Sequence, residues 1–212
     1  MRFLKLYNAK LRPGFSNAEN HLVAKQFPAL DDRLIAFIAR QHIFFTASAA
    51  AGTRVNLSPR GIDSFRVLGP NAAAYLDRTG SGNETAAHLR ADGRLTVMFC
   101  AFEGAPTILR LYGRGAVLPR GGAAYAEMLA TAFAGSEPPG ARQIVRLDFD
   151  LVQTSCGFGV PFYAFEGERP TLDRWAAGKS EAELNAYRRL KNARSMDGLP
   201  TGLFAQEDGP EG

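Results

Sequence analysis

The chain has 212 residues, 46% apolar and 22% charged, with 22 glycines and 12 prolines in no regular period. That mixture builds one globular domain, or two at most; it excludes a disordered or collagenous chain, and no apolar run approaches the roughly 18 residues of a membrane span. The net charge of +4 comes from the N-terminal stretch, where Arg2, Lys5, Lys10, Arg12 and Lys25 stand against Glu19 alone; the rest is balanced, which argues against a nucleic-acid partner.

Residues 1–25 hold no sustained hydrophobic period and carry Pro13-Gly14 and Ser16-Asn17. They read as an extension preceding a core domain over 26–200. Val23 is a candidate alternative start, which would leave 1–22 untranslated. Lys5 and Lys10 interrupt any secretory apolar region, and no small-residue cleavage site follows. Cys100 and Cys156 are far apart and form no Cys-x-x-Cys. This usage fits a reducing compartment, so the expected location is cytoplasmic, with no membrane partner. His21, His42 and His88 show no metal-ligand spacing.

Regular structure begins with a helix over 31–41, which Asp31 can cap. Leu34, Phe37 and Ile38 share one face of it, and Leu30 can staple onto Ile35. Short strands are expected near 43–49, 54–58, 65–68 and 73–77, then a helix near 84–91. Longer strands follow near 94–103, 107–118 and 142–152, with a helix at 121–133. In the last strand Val145, Leu147, Phe149 and Leu151 alternate with Arg146, Asp148 and Asp150, giving one core face and one wet face. The strand at 94–103 is apolar on both sides, Leu95, Val97, Phe99 and Ala101 opposite Met98, Cys100 and Phe102. Such a strand must be covered twice, by a helix or by a second subunit. Helices at 171–177 and 181–193 close the domain. The second opens with the capping box Ser180–Glu183 and presents Arg188, Arg189 and Lys191 as a solvated face. A flexible tail is expected over 201–212. Strands outnumber helices without alternating with them, which predicts a mainly β fold, a small β-barrel with peripheral helices.

Several motifs fail. Gly178-Lys179-Ser180 imitates the end of a P-loop, yet the earlier glycine position is Asp173. Gly80-x-Gly82, Gly113-x-Gly115 and Gly157-x-Gly159 are each half a dinucleotide fingerprint, and there is no Gly-x-Ser-x-Gly.

Three stretches remain. In Gly52–Gly61, read as a strand, Val55 and Leu57 point to the core while Arg54, Asn56 and Ser58 share the other face over about 13 Å. Those groups suit the polar edge of a flat ring, or simply water. Pro59 ends the pairing and Arg60 follows. Thr79-Gly-Ser-Gly-Asn-Glu-Thr85 leads from a strand into a helix that Ser81 or Asn83 can cap. Its free N–H groups and the hydroxyls of Ser81 and Thr85 form an anion socket, or else a capped structural helix. Glu84 competes with an anion there. The glycine-punctuated loop Val152–Pro161 holds Cys156, a packed or a reactive thiol.

These stretches, with Met98-Phe-Cys-Ala-Phe-Glu-Gly104 and Leu109-Arg-Leu-Tyr-Gly-Arg-Gly115, resemble the pyridoxamine 5′-phosphate oxidase-like flavoproteins. Gln153-Thr-Ser-Cys-Gly-Phe-Gly-Val-Pro161 resembles the branch whose members have no assigned substrate. The resemblance spans about Leu30 to Leu199 and implies an FMN-binding split barrel, homodimeric, with FMN between subunits. It implies an FMN-dependent oxidoreductase, or alternatively a non-catalytic flavin-, haem- or deazaflavin-binding protein on the same barrel. It places cofactor contacts at Arg54, Val55, Asn56, Leu57, Ser58 and Arg60, and at Thr79, Ser81, Asn83 and Thr85. Asn83 and Thr85 fall where relatives carry the Ser and Lys of a Ser-Arg-Lys phosphate clamp, and Glu84 replaces its Arg. The phosphate is then left to Arg60, Arg54 or Arg78 and the helix N-terminus. The Arg-x-His substrate signature of the true oxidases is absent, since no histidine follows His88.

Overall fold

The computed structural model describes residues 24–205. The alternative start at Val23, nearly all of the extension and the tail from 206 lie outside the described residues. The order of elements is β1 (Lys25–Phe27), α1 (Asp32–Ala39), β2 (Phe44–Ser48), β3 (Asn56–Arg60), β4 (Phe65–Gly69), β5 (Ala72–Arg78) and α2 (Glu84–Ala91). Then come β6 (Arg94–Cys100), β7 (Ile108–Pro119), α3 (Ala123–Ala132), β8 (Ala141–Ser155), α4 (Thr171–Ala177) and α5 (Glu181–Asn192). The short β1 has no periodic signal to betray it. Among the described residues no helix is long and apolar enough to cross a membrane.

The eight strands form one antiparallel sheet in the order β3-β2-β6-β7-β8-β5-β4, with β1 also paired to β8. Helices lie at its periphery. The sheet rolls around one core: Phe44 of β2 meets Phe65 of β4 with ring centroids 5.0 Å apart, and Phe99 of β6 joins them. Among the described residues no ladder joins the two end strands, β3 and β4.

Asp31 caps α1 as expected, accepting from the Leu34 amide, and Leu34, Phe37 and Ile38 are buried. Ser180 and Glu183 form the capping box of α5. Between β7 and β8, Gly113 pairs with Phe149 and Tyr112 with Leu151, so Asp150 is an extra residue. A bulge shifts the alternation by one. Val152 therefore enters the core, fully buried, where Leu151 was expected. At the other end of β8, α3 covers the second face: Tyr125 and Phe133 pack on Ile144 and Leu76. The chain beyond Gly198 folds back, with Thr201 and Phe204 buried and the Thr201 hydroxyl donating to the Asn192 carbonyl at 2.7 Å.

Candidate functional site

The polar row of β3 faces the opposite way from the expectation. Val55 and Leu57 are 74% and 65% exposed, while Asn56, Ser58 and Arg60 turn inward. The inner face of this edge strand meets polar groups of β2 and α2 rather than the apolar core. Side chains that can form hydrogen bonds are stable there, and apolar ones are not. Asn56 Nδ2 donates to Thr85 Oγ1 at 3.0 Å, and Ser58 Oγ donates to Asn56 Oδ1 at 3.1 Å. Arg60 Nε donates to Thr46 Oγ1 at 3.3 Å, and its guanidinium lies 4.7 Å over the Tyr75 ring. Arg54 is not in this row. Asp197, on the turn after α5, draws it outward through an ion pair and accepts from its amide at 2.9 Å.

The floor of the site is a buried charge cluster. Asp77 is ion-paired to Arg60 and accepts from Arg142 Nε and Gln143 Nε2, each at 2.8 Å. Burial disfavours its charge, but Arg142 and Arg60 outweigh that and hold its carboxyl below the usual carboxylate range. Two guanidiniums share one carboxylate, so the cluster keeps one positive charge. Tyr75 is pushed up to about 12 by burial, with Arg60 opposing the shift.

The loop from Thr79 to Thr85 is held from behind. Asn192 Nδ2 donates to the Gly80 carbonyl at 3.0 Å, Arg142 Nη1 to the Gly82 carbonyl at 2.9 Å, and Arg188 Nε to Thr79 Oγ1 at 2.8 Å. In a trans peptide the carbonyl and the next N–H point in opposite directions. The Ser81 and Asn83 amides are thereby aimed away from these buried donors. Asn83 is the N-cap of α2, but its side chain makes no cap; its Oδ1 accepts from Gln143 Nε2 at 2.8 Å instead. The expected capping by Ser81 or Asn83 is therefore absent, because the buried Gln143 claims the Asn83 carbonyl. Glu84 accepts from the Met196 amide at 3.1 Å. Arg188, expected on a solvated face, is buried, because the face of α5 bearing Leu184, Arg188 and Asn192 packs inward.

Asn56, Ser58, Arg60, Thr79, Ser81, Asn83 and Thr85 line one cleft of about 490 Å³, together with Arg142. Arg54, Val55 and Leu57 do not line it. Sequence reasoning missed Asp77, Arg142, Gln143, Arg188 and Asn192. The available signal was Asp77, an acid ending the apolar run of β5 opposite Gln143 in the ladder.

The family model for pyridoxamine 5′-phosphate oxidase matches residues 30–156, a span that includes the whole of β2 to β8 and so every strand of this cleft. The chain belongs to the pyridoxamine 5′-phosphate oxidase family. It is 40% identical over 190 residues to the pyridoxamine 5′-phosphate oxidase family protein ustO of Aspergillus flavus, covering 82% of this chain and 76% of the relative. Among solved structures it is similar to HupZ of Group A Streptococcus, with 16% identity and a TM-score of 0.48 over 57% of this chain and 91% of that one. The heme storage protein HutZ of Vibrio cholerae gives 16% identity and a TM-score of 0.45 over 61% and 97%.

Within this family frame the cleft suits a flat, polar-edged ligand with an anionic tail. The inward Asn56 and Ser58 offer donors and acceptors in a row, and the uncapped start of α2 offers amides and partial positive charge. Three buried polar atoms lack a hydrogen-bond partner among the described residues, Tyr75 Oη, His88 Nε2 and Gln143 Oε1; none of the three residues lines the cleft, although Tyr75 lies under Arg60 and Gln143 is bonded to Asn83. Among the described residues no group of three or more metal-ligating side chains converges.

Proposed function

We propose that the protein is an FMN-dependent oxidoreductase of the substrate-unassigned branch, a split-barrel homodimer that holds its flavin in this cleft. The observation that carries the reading is the convergence of the inward polar row of β3 with the uncapped N-terminus of α2. FMN, when bound, supplies reversible electron transfer at its ring. Asn56 and Ser58 would orient the ring edge, fixed by their bonds to each other and to Thr85. Ser81, Thr85 and the first amides of α2 would hold the phosphate, with Arg60 and Arg142 supplying the surplus positive charge. That charge takes the place of the clamp's missing cations.

The spectrum of the purified protein tests this directly. A yellow protein that takes up FMN stoichiometrically and is bleached by a reduced nicotinamide is the expected result; a colourless protein that rejects FMN refutes it. Joint Ser81→Ala and Thr85→Ala replacement should weaken FMN binding roughly a hundredfold or more, since each lost bond to a charged group costs about 1.5 kcal/mol or more. Glu84→Gln keeps the acceptor for Met196 but removes an anion from the positive helix end. It should tighten binding roughly two- to fivefold.

Glu84 also favours the second reading, a carrier without turnover. A yellow but unreactive protein would select it, and a haem-type band would redirect it to haem.

The dimer rests on the outer sheet face. Leu57, Ala47, Thr96 and Tyr112 stand in register across β3, β2, β6 and β7, with Phe45 beside Met98 in the next row. A second copy would cover this face and the exposed Leu57. Leu57→Asp should leave the stability of the monomer nearly unchanged, within about 0.5 kcal/mol, while halving the mass measured by light scattering. An unchanged dimeric mass would place the interface elsewhere.

A further inference from the structure

We propose that the groove adjoining the cleft across Pro59–Ile62 binds a planar aromatic molecule of no net charge, as the substrate side of the site. That role rests on the flavin reading above; the existence of the aromatic site does not. The groove encloses about 770 Å³, within the range of small-molecule sites. Its outer wall is the stretch 161–169, which starts beyond the family-model match ending at 156.

This strap has no regular secondary structure, and every residue in it is exposed. It is nevertheless pinned in place. The Tyr163 amide donates to the Phe102 carbonyl and the Phe165 amide to Glu103 Oε1, both at 3.1 Å. The rings are also ordered. His42 and Phe165 lie face to face with centroids 3.7 Å apart and planes 4° apart, and Phe102 and Tyr163 are 5.5 Å apart. Tyr163 and Phe165 remain 64% and 45% exposed. An aromatic side chain left in water forgoes roughly 1.5–3 kcal/mol of burial. The pairing within the chain orders these rings yet leaves much of their surface in water, and a flat ligand stacked on the strap would cover it.

Charge narrows the ligand. Arg40 and Arg169 face Glu103 and Glu168 around the groove, and the Arg60 guanidinium is turned away into the cleft, onto Asp77, Thr46 Oγ1 and the Tyr75 ring. The lining is balanced, which disfavours a net anion or cation. Strain marks the shared wall: Ile62, which lines both cavities, holds a φ of 60°, a left-handed conformation costly for a β-branched residue. Such strain persists where the surroundings enforce it, and it falls where the cleft and groove meet.

The test is calorimetric titration of the FMN-loaded full chain with 2-naphthol, 2-naphthoate and 2-naphthylmethylamine, with flavin absorbance recording cofactor content separately. The expected result is one saturable site for 2-naphthol, with weaker binding of both charged analogues. Phe165→Ala and Tyr163→Ala should each weaken it roughly tenfold, with FMN uptake and melting temperature unchanged. Absence of saturation, equal binding by the variants, preference for a charged analogue, or loss of FMN in the variants would each overturn the inference. Should the wild type reject FMN yet bind 2-naphthol in a strap-dependent way, the groove stands and the flavin reading falls.

Discussion

Asp77→Asn is expected to lower stability by about 4 kcal/mol, because it leaves Arg60 and Arg142 buried around a neutral amide. For a domain of this size that shifts the melting temperature by roughly 8–16 °C. The loss is pH-dependent in a defined direction. The Asp77 carboxyl titrates below its ordinary range in the folded protein, so its contribution is complete above the unfolded value of about 4 and disappears as the pH falls through the folded value. The difference between wild type and Asp77→Asn should therefore be largest at neutral pH and vanish in strong acid. Thermal denaturation across pH measures it; a gap that stays constant down to strong acid would mean that Asp77 is not the charge holding the two arginines.

Gly113→Ala is expected to prevent correct pairing of β7 with β8. A methyl group there would sit 2.1 Å from the Asp148 carbonyl oxygen and 2.5 Å from the Phe149 Cα, backbone atoms that no rotamer change can move. Overpacking costs typically about 1–3 kcal/mol and more where the backbone must part, so this variant belongs at the upper end, with loss of soluble protein or a strongly lowered melting point. Gly69→Ala is the control: nothing lies within 4 Å of the added carbon, and it should change stability by no more than about 0.5 kcal/mol. Equal behaviour of the two variants would contradict the bulged register at Asp150.

The order and type of the longer elements were legible because each buries one periodic face. Leu95, Val97 and Phe99 on β6 and Leu34, Phe37 and Ile38 on α1 enter the core as alternation and helical spacing require. The facing of β3 was not legible, since apolar-inward is a rule about cores and the inner side of β3 borders a polar cleft. The swap of Leu151 for Val152 followed from a bulge, which leaves no compositional trace. Most of the candidate cleft could be read from local motifs in Asn56–Arg60 and Thr79–Thr85. Its floor could not, because Asp77 meets Arg142 only through the pairing of β5 with β8, and Arg188 and Asn192 arrive from over a hundred residues downstream.

That last arrangement has a mechanical consequence. The family-model match ends at residue 156, yet the turn at Gly80 is braced by side chains of α5, and the Glu84 carboxylate is tied to the backbone at Met196. The ligand-facing loop is thus cantilevered from the C-terminal helix, so the smallest piece of this chain able to keep its cleft in shape extends at least to the turn that carries Asp197.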